Sequence, residues 1–179
     1  MFKQFTSFVS RLFYELKPKS AHDFFIPRLT RIYLIRIAVI ILLCFTIFGF
    51  VLRPAWVKGG SMEPTYRKIG LNFIYLLKYW HSKPQRGDIV AIYYEKKVMF
   101  LKRIVALPDE TVEFRDGKLY VNGQKLDEPY VKKPCDWELP PRTVQYGYYY
   151  VVGDNRNQPI ERHQFGQVAQ RRIIGVPLW

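Results

Sequence analysis

An apolar run from Ile32 to Leu52 limits what this chain can be before any other feature is weighed. It covers 21 residues and carries one charge, Arg36, near its start. The uncharged part, Ile37 to Leu52, falls short of the ~20 residues that a hydrocarbon core of ~30 Å requires. Ile32 to Ile35 must therefore contribute, with Arg36 snorkelling toward the headgroups. A run that is apolar on every face has no polar stripe to show to water, so a membrane span is expected in preference to a buried core helix. Lys3, Arg11, Lys17, Lys19, Arg28, Arg31 and Arg36 precede or enter the span, which by the positive-inside rule places the amino terminus in the cytoplasm. Residues 1–31 interleave these cations with aromatics and read as a cytoplasmic juxtamembrane segment, interrupted by Pro18 and Pro27. No small-residue cleavage site follows the run, so a single uncleaved anchor is expected.

The anchor decides how the charge is read. A formal net charge of +13 with 17% aromatic residues would suit nucleic acid or an anionic membrane. The basic residues are scattered and no nucleic-acid-binding signature occurs, so the expected partner is the lipid bilayer and not nucleic acid. Cys44 lies in the span and Cys135 far beyond it, which argues against an internal disulfide. His22, His81 and His163 fall in separate segments, without the spacing of a metal site.

Soon after the span comes Gly59-Gly60-Ser61-Met62-Glu63-Pro64-Thr65. Glycines permit positive φ and close backbone approach, and Pro64 disfavours helix just before it. Ser61 on such a turn becomes a nucleophile if a base reaches its hydroxyl and a backbone N–H receives the oxyanion. The same residue types also build ordinary loops. Few residues separate Leu52 from Ser61, so the serine stays within ~30 Å of the bilayer even on extended chain. Leu71 to Trp80 is apolar and aromatic, and reads equally as a second membrane-touching element or a core strand.

Beyond the turn signal at Pro84 to Asp88 the pattern becomes β-like: Ile89 to Tyr94, Val98 to Ala106, Thr111 to Arg115, Lys118 to Val121 and Tyr146 to Val152. Asp116-Gly117 and Asn122-Gly123 are hairpin dipeptides. Pro129, Pro134 and Pro140-Pro141 mark loops. The reading is a mainly β domain over 53–179, with one amino-terminal transmembrane helix at 32–52. In Val98 to Val105, alternation puts Val98, Phe100, Lys102 and Ile104 on one face. A lysine among apolar neighbours loses hydration, its ammonium is disfavoured, and the neutral amine can deprotonate a serine. On an edge strand the same lysine would reach solvent instead.

Three segments in this order resemble the type I signal peptidase family: the serine turn, Leu101-Lys102-Arg103-Ile104-Val105-Ala106-Leu107-Pro108, and Val152-Gly153-Asp154-Asn155-Arg156. Glu113 to Gly123 is family-like as well, and the resemblance extends from about Trp56 to Gly175. It implies coiled antiparallel β-sheets and a Ser/Lys endopeptidase, anchored in the bacterial inner (plasma) membrane with its peptidase domain outside the cytoplasm, that removes leader segments from exported precursors. Ser61 would be the nucleophile and Lys102 the general base, with no cofactor. The turn of Gly59, Gly60 and Ser61 would form the oxyanion site. In some relatives a hydroxyl stands where this chain has Gly59, so here the site would rest on backbone groups. Arg103, Asp154, Arg156 and Glu161 would give structural support.

The segment Asn157 to Gly166 departs from the family pattern. Pro159 stands where many relatives have a serine that holds the lysine, and Glu161 and His163 replace an Asp/Arg pair. Such drift suits a specialised peptidase. Relatives in plasmid conjugation systems mature a pilin precursor, in some cases joining its ends, so a pilin precursor is an alternative substrate. Two other readings stay open: a non-catalytic scaffold of a secretion apparatus, and a Ser-His-Asp triad using His163 or His81.

Overall fold

A computed structural model describes residues 30–67, 69–95, 98–159 and 166–178. The basic amino-terminal segment before Thr30, and both Glu161 and His163, lie outside the described residues. The chain divides into two compact units, Met1–Phe45 and Thr46–Trp179.

Helix α1 (Arg31–Thr46) opens where Thr30 Oγ1 accepts a hydrogen bond from the Tyr33 N–H at 3.4 Å, the geometry of an N-cap. It contains no buried residue. The helical path continues in a π-type turn over Ile47–Val51, and Arg31–Val51 as a whole is long and apolar enough to cross a membrane.

The second unit is β. Its eleven described strands are β1 (Leu52–Lys58), β2 (Ile69–Tyr75), β3 (Ile89–Glu95), β4 (Val98–Ala106), β5 (Thr111–Arg115), β6 (Lys118–Val121), β7 (Gln124–Lys125), β8 (Leu139–Thr143), β9 (Tyr148–Val152), β10 (Gly166–Ala169) and β11 (Ile173–Pro177). They form a seven-stranded sheet, β1-β2-β11-β3-β4-β9-β10, and a four-stranded sheet, β7-β6-β5-β8, with every pair antiparallel.

β3 to β6 follow the sequence signals closely, because alternation and turn chemistry agree there. Asn122 and Gly123 both take positive φ, 52° and 75°, as a two-residue hairpin turn demands. β9 begins at Tyr148, later than the expected Tyr146, since Gly147 (φ 77°) still belongs to the preceding turn. The Leu71 to Trp80 stretch divides: its first part lies in β2, paired with β1 and β11, and its last residues form a turn. Pro140-Pro141 is a correction to the loop reading, because both prolines lie within β8. β8 is an outer strand, and its register with β5 shifts between Arg142 and Leu139, so the two prolines fall in a bulge where no regular ladder bond is required of them. Pro54 also lies on an outer strand, β1, at one end of the large sheet.

Apolar side chains gather in three clusters. The largest joins the small sheet to β4 and β9 through Val105, Val112, Phe114, Leu119, Trp137 and Val152. A second holds Val90, Ile92, Ile104 and Val151, and a third packs Met62 with Ile74, Ala91 and Leu101. Burying one such side chain is worth ~1.5–3 kcal/mol. The third cluster has a further effect: it pins the residue that follows Ser61.

Candidate active site

The serine turn is held from below and from the side. Met62, only 3% exposed, plugs into the third cluster, while the Glu63 N–H donates to Gly60 O at 3.3 Å and the Tyr66 N–H to Met62 O at 2.9 Å. Glu63-Pro64 is a cis peptide. From the side, the Asn155 backbone N–H donates to Ser61 O at 3.0 Å and its side-chain amide to Gly60 O at 2.8 Å. Gly153 touches the same turn: a Cβ there would collide with the Ser61 carbonyl oxygen and stand 3.3 Å from Ser61 Cβ. Only glycine allows this approach.

The lysine strand is held by burial. β4 lies inside the large sheet between β3 and β9, with Val90 opposite Lys102, and every residue from Leu101 to Ala106 is buried. Lys102 is therefore not on an outer strand, and its side chain is 2% exposed. Desolvation brings its pKa down from the ordinary lysine value to about 8, against an opposing pull from the Asp154 carboxylate. A usable fraction of neutral amine then exists near neutrality.

Residues 153–156 connect the two. Arg103 pairs with Val152 across β4 and β9, Gly153 follows directly on that paired residue, and the Asp154 carboxylate beyond it acts on the Lys102 ammonium. Ser61 and Lys102 thus both adjoin the Gly153-Asp154 corner. Asp154, 1% exposed, accepts from Arg103 Nε at 2.9 Å and Arg103 Nη2 at 2.7 Å, and from Thr65 Oγ1 at 2.6 Å. One carboxylate therefore ties the end of the serine turn to the strand carrying the lysine. Arg156 donates to Gly153 O at 2.8 Å and clasps Glu128 with both terminal nitrogens, at 2.9 and 2.6 Å. The Arg103 guanidinium lies 3.8 Å from the centre of the Tyr130 ring, whose hydroxyl donates to Glu128 at 2.7 Å.

Ser61, Gly59, Gly60, Lys102, Arg103, Asp154 and Arg156 accordingly meet in one region, and Glu161 lies outside the described residues. Sequence reasoning missed Thr65, Glu128 and Tyr130. Thr65 stood inside the quoted turn motif, but Glu128 and Tyr130 sit in a loop with no local pattern.

A cleft of about 560 Å³ opens beside the serine, lined by Ala55, Val57 and Gly59 from β1 and the turn, by Ser61 and Met62, and by Met99 to Leu101 of β4. Its walls are mostly apolar. His81 stacks against Trp80 in the turn after β2, whose first residue and not its last leads out of the serine loop. Among the described residues no group of His, Cys, Asp or Glu side chains is arranged to hold a metal, and both cysteines are free.

Known proteins match this pattern over most of the chain. The family model for signal peptidase, peptidase S26, matches residues 30–178. Probable signal peptidase I-1 of Synechocystis is 34% identical over 73% of this chain and 71% of its own length. Signal peptidase I T of Bacillus subtilis is 35% identical over 78% of each chain, and signal peptidase I of Bacillus licheniformis 33% identical over 78% of this chain and 81% of its own. A solved signal peptidase I from Enterococcus faecalis V583 shares 35% identity, with a TM-score of 0.45, over 53% of this chain and 97% of that one. On the extent and identity of the sequence matches, the chain belongs to the peptidase S26 family of signal peptidases.

Proposed function

We propose that the chain is a membrane-anchored serine endopeptidase that cleaves leader segments from exported precursors, with Ser61 as nucleophile and Lys102 as general base. The observation that supports this most is the shared corner: the serine turn and the buried lysine both abut Gly153-Asp154. The neutral Lys102 amine takes the Ser61 proton as Oγ attacks the scissile carbonyl. The resulting oxyanion is received by backbone N–H groups of the Gly59 to Ser61 turn. Lys102 then returns the proton to the departing amine, leaving an acyl ester on Ser61 that water hydrolyses. The apolar cleft on the β1 and β4 side takes the acyl portion of the substrate. The span at 32–52 anchors the enzyme in the plasma membrane with its amino terminus in the cytoplasm, and 53–179 form the peptidase domain outside it.

The direct test is processing of a membrane-inserted precursor by the full-length protein. Ser61→Ala and Lys102→Ala should each abolish it, and unchanged processing by either would exclude the dyad. Function in vivo with Ser61 removed would instead favour a scaffold. The departures at Pro159, Glu161 and His163 favour a specialised substrate such as a conjugative pilin precursor. Mass spectrometry of the mature product distinguishes the outcomes, since ring closure yields a species lighter by one water than the linear chain.

A further inference from the structure

The polar side of the serine turn has a feature that the dyad does not use. The Glu63 carboxylate folds back over Gly60: a Cβ built on Gly60 would meet Glu63 Oε2 at 2.6 Å and Gln158 Nε2 at 3.7 Å. The other two carboxylates around the turn are engaged, Asp154 by Arg103 and Thr65, and Glu128 by Arg156 and Tyr130. Among the described residues no cation pairs with Glu63, although the chain as a whole carries +13.

Position separates this group from the apolar cleft. Gly59, Ser61 and Met62 line the cleft, whereas Gly60, Glu63 and Gln158 do not. With the acyl part of the substrate in the cleft, the peptide leaves Ser61 on another side, past residues outside that lining. A half-buried carboxylate two residues from the nucleophile suits a cationic partner, to which it supplies the complementary charge and a hydrogen-bond acceptor.

We propose that Glu63 forms a leaving-side subsite that selects a Lys or Arg within the first two residues after the cleaved bond. This rests on the Ser61/Lys102 reading and adds a specificity determinant to it. A partly exposed ion pair discriminates by up to about fivefold in kcat/KM against a neutral residue, and like-charge repulsion widens the gap against an acidic one to about tenfold.

The test uses the full-length protein in detergent and three peptides that share one leader and differ only in carrying Lys, Gln or Glu just after the cleaved bond. Wild type should cleave the Lys peptide about tenfold better than the Glu peptide by kcat/KM. Glu63→Gln should bring that ratio near one, and Glu63→Lys should invert it. The ratio is the decisive readout, because a general loss of folding or turn geometry lowers all three rates together. A wild-type ratio near one, or a ratio retained in Glu63→Gln, overturns the subsite. Failure of the underlying reading looks different: Ser61→Ala would cleave all three peptides as well as wild type does.

Discussion

The serine and the lysine sit against the same corner of the fold but are placed by opposite means. The serine turn is half-exposed and is positioned by hydrogen bonds to Asn155, by the bare face of Gly153 and by the buried plug of Met62. The lysine lies in an interior strand buried on both faces, with neighbours on either side. On the proposed dyad, the contrast follows from what each must do. A nucleophile has to be reachable by substrate and fixed in direction, which polar contacts at the surface provide. A lysine base has to shed its proton, which only removal from water provides. Residues 153–156 satisfy both demands at once, bonding to the turn and pairing with the strand.

The sharpest break of this comparison is removal of one partner. Ser61→Ala, Lys102→Ala and Lys102→Arg should each lower precursor cleavage by about a thousandfold or more, the last because a guanidinium stays protonated. The Arg variant separates charge from burial: retained cleavage in a quantitative processing assay would mean that a neutral amine is not required. Next comes the shared brace. Asp154→Ala leaves the Arg103 guanidinium buried without its carboxylate and should destabilise the fold by ~3–5 kcal/mol, seen as a lower denaturation midpoint. Gly153→Ala should act on the serine side alone, since the added Cβ meets the Ser61 backbone. A loss of about a hundredfold in kcat is expected for a turn displaced by an ångström, with the β core intact by circular dichroism. The smallest effect belongs to Thr65→Val, which removes one hydrogen bond to Asp154 and should cost ~1 kcal/mol of stability.

Much of this site could be read from sequence, for reasons that differ by region. Alternation within Val98 to Val105 and the hairpin dipeptides after Arg115 and Val121 are local signals, and the structure follows them. Lys102 was legible as a lysine in an apolar strand. Its burial was not, because that depends on β9 and β3 flanking β4, and pairing across fifty residues leaves no local mark. β1 and β8 were obscured by Pro54 and Pro140-Pro141, which mean loop unless the strand is known to be an outer one. Glu128 and Tyr130 reach Arg156 and Arg103 from a loop whose sequence carries no period, so only the fold reveals them.

Burial of the lysine also has a consequence for stability that the exposed turn lacks. The folded pKa of Lys102 lies below its unfolded value, so between about pH 8 and 10.5 the unfolded chain binds more protons and stability rises with pH. Below pH 8 the amine is charged in both states and the folded one carries the desolvation cost. Lys102→Met should therefore stabilise the protein near pH 7, by an amount on the order of 1–3 kcal/mol that shrinks as pH climbs from 8 to 10.5.

The central claim is that Lys102 acts as a neutral base because the fold has dried it. Its most direct measurement is the pH dependence of kcat/KM for a leader peptide with the full-length protein. Below the lysine pKa the active fraction falls tenfold per pH unit, so the rate should climb with pH, reach half its plateau at about pH 8, and level off above. A profile that is flat from pH 6 to 10, or one that inflects near 6.5 as an ordinary histidine would, contradicts it.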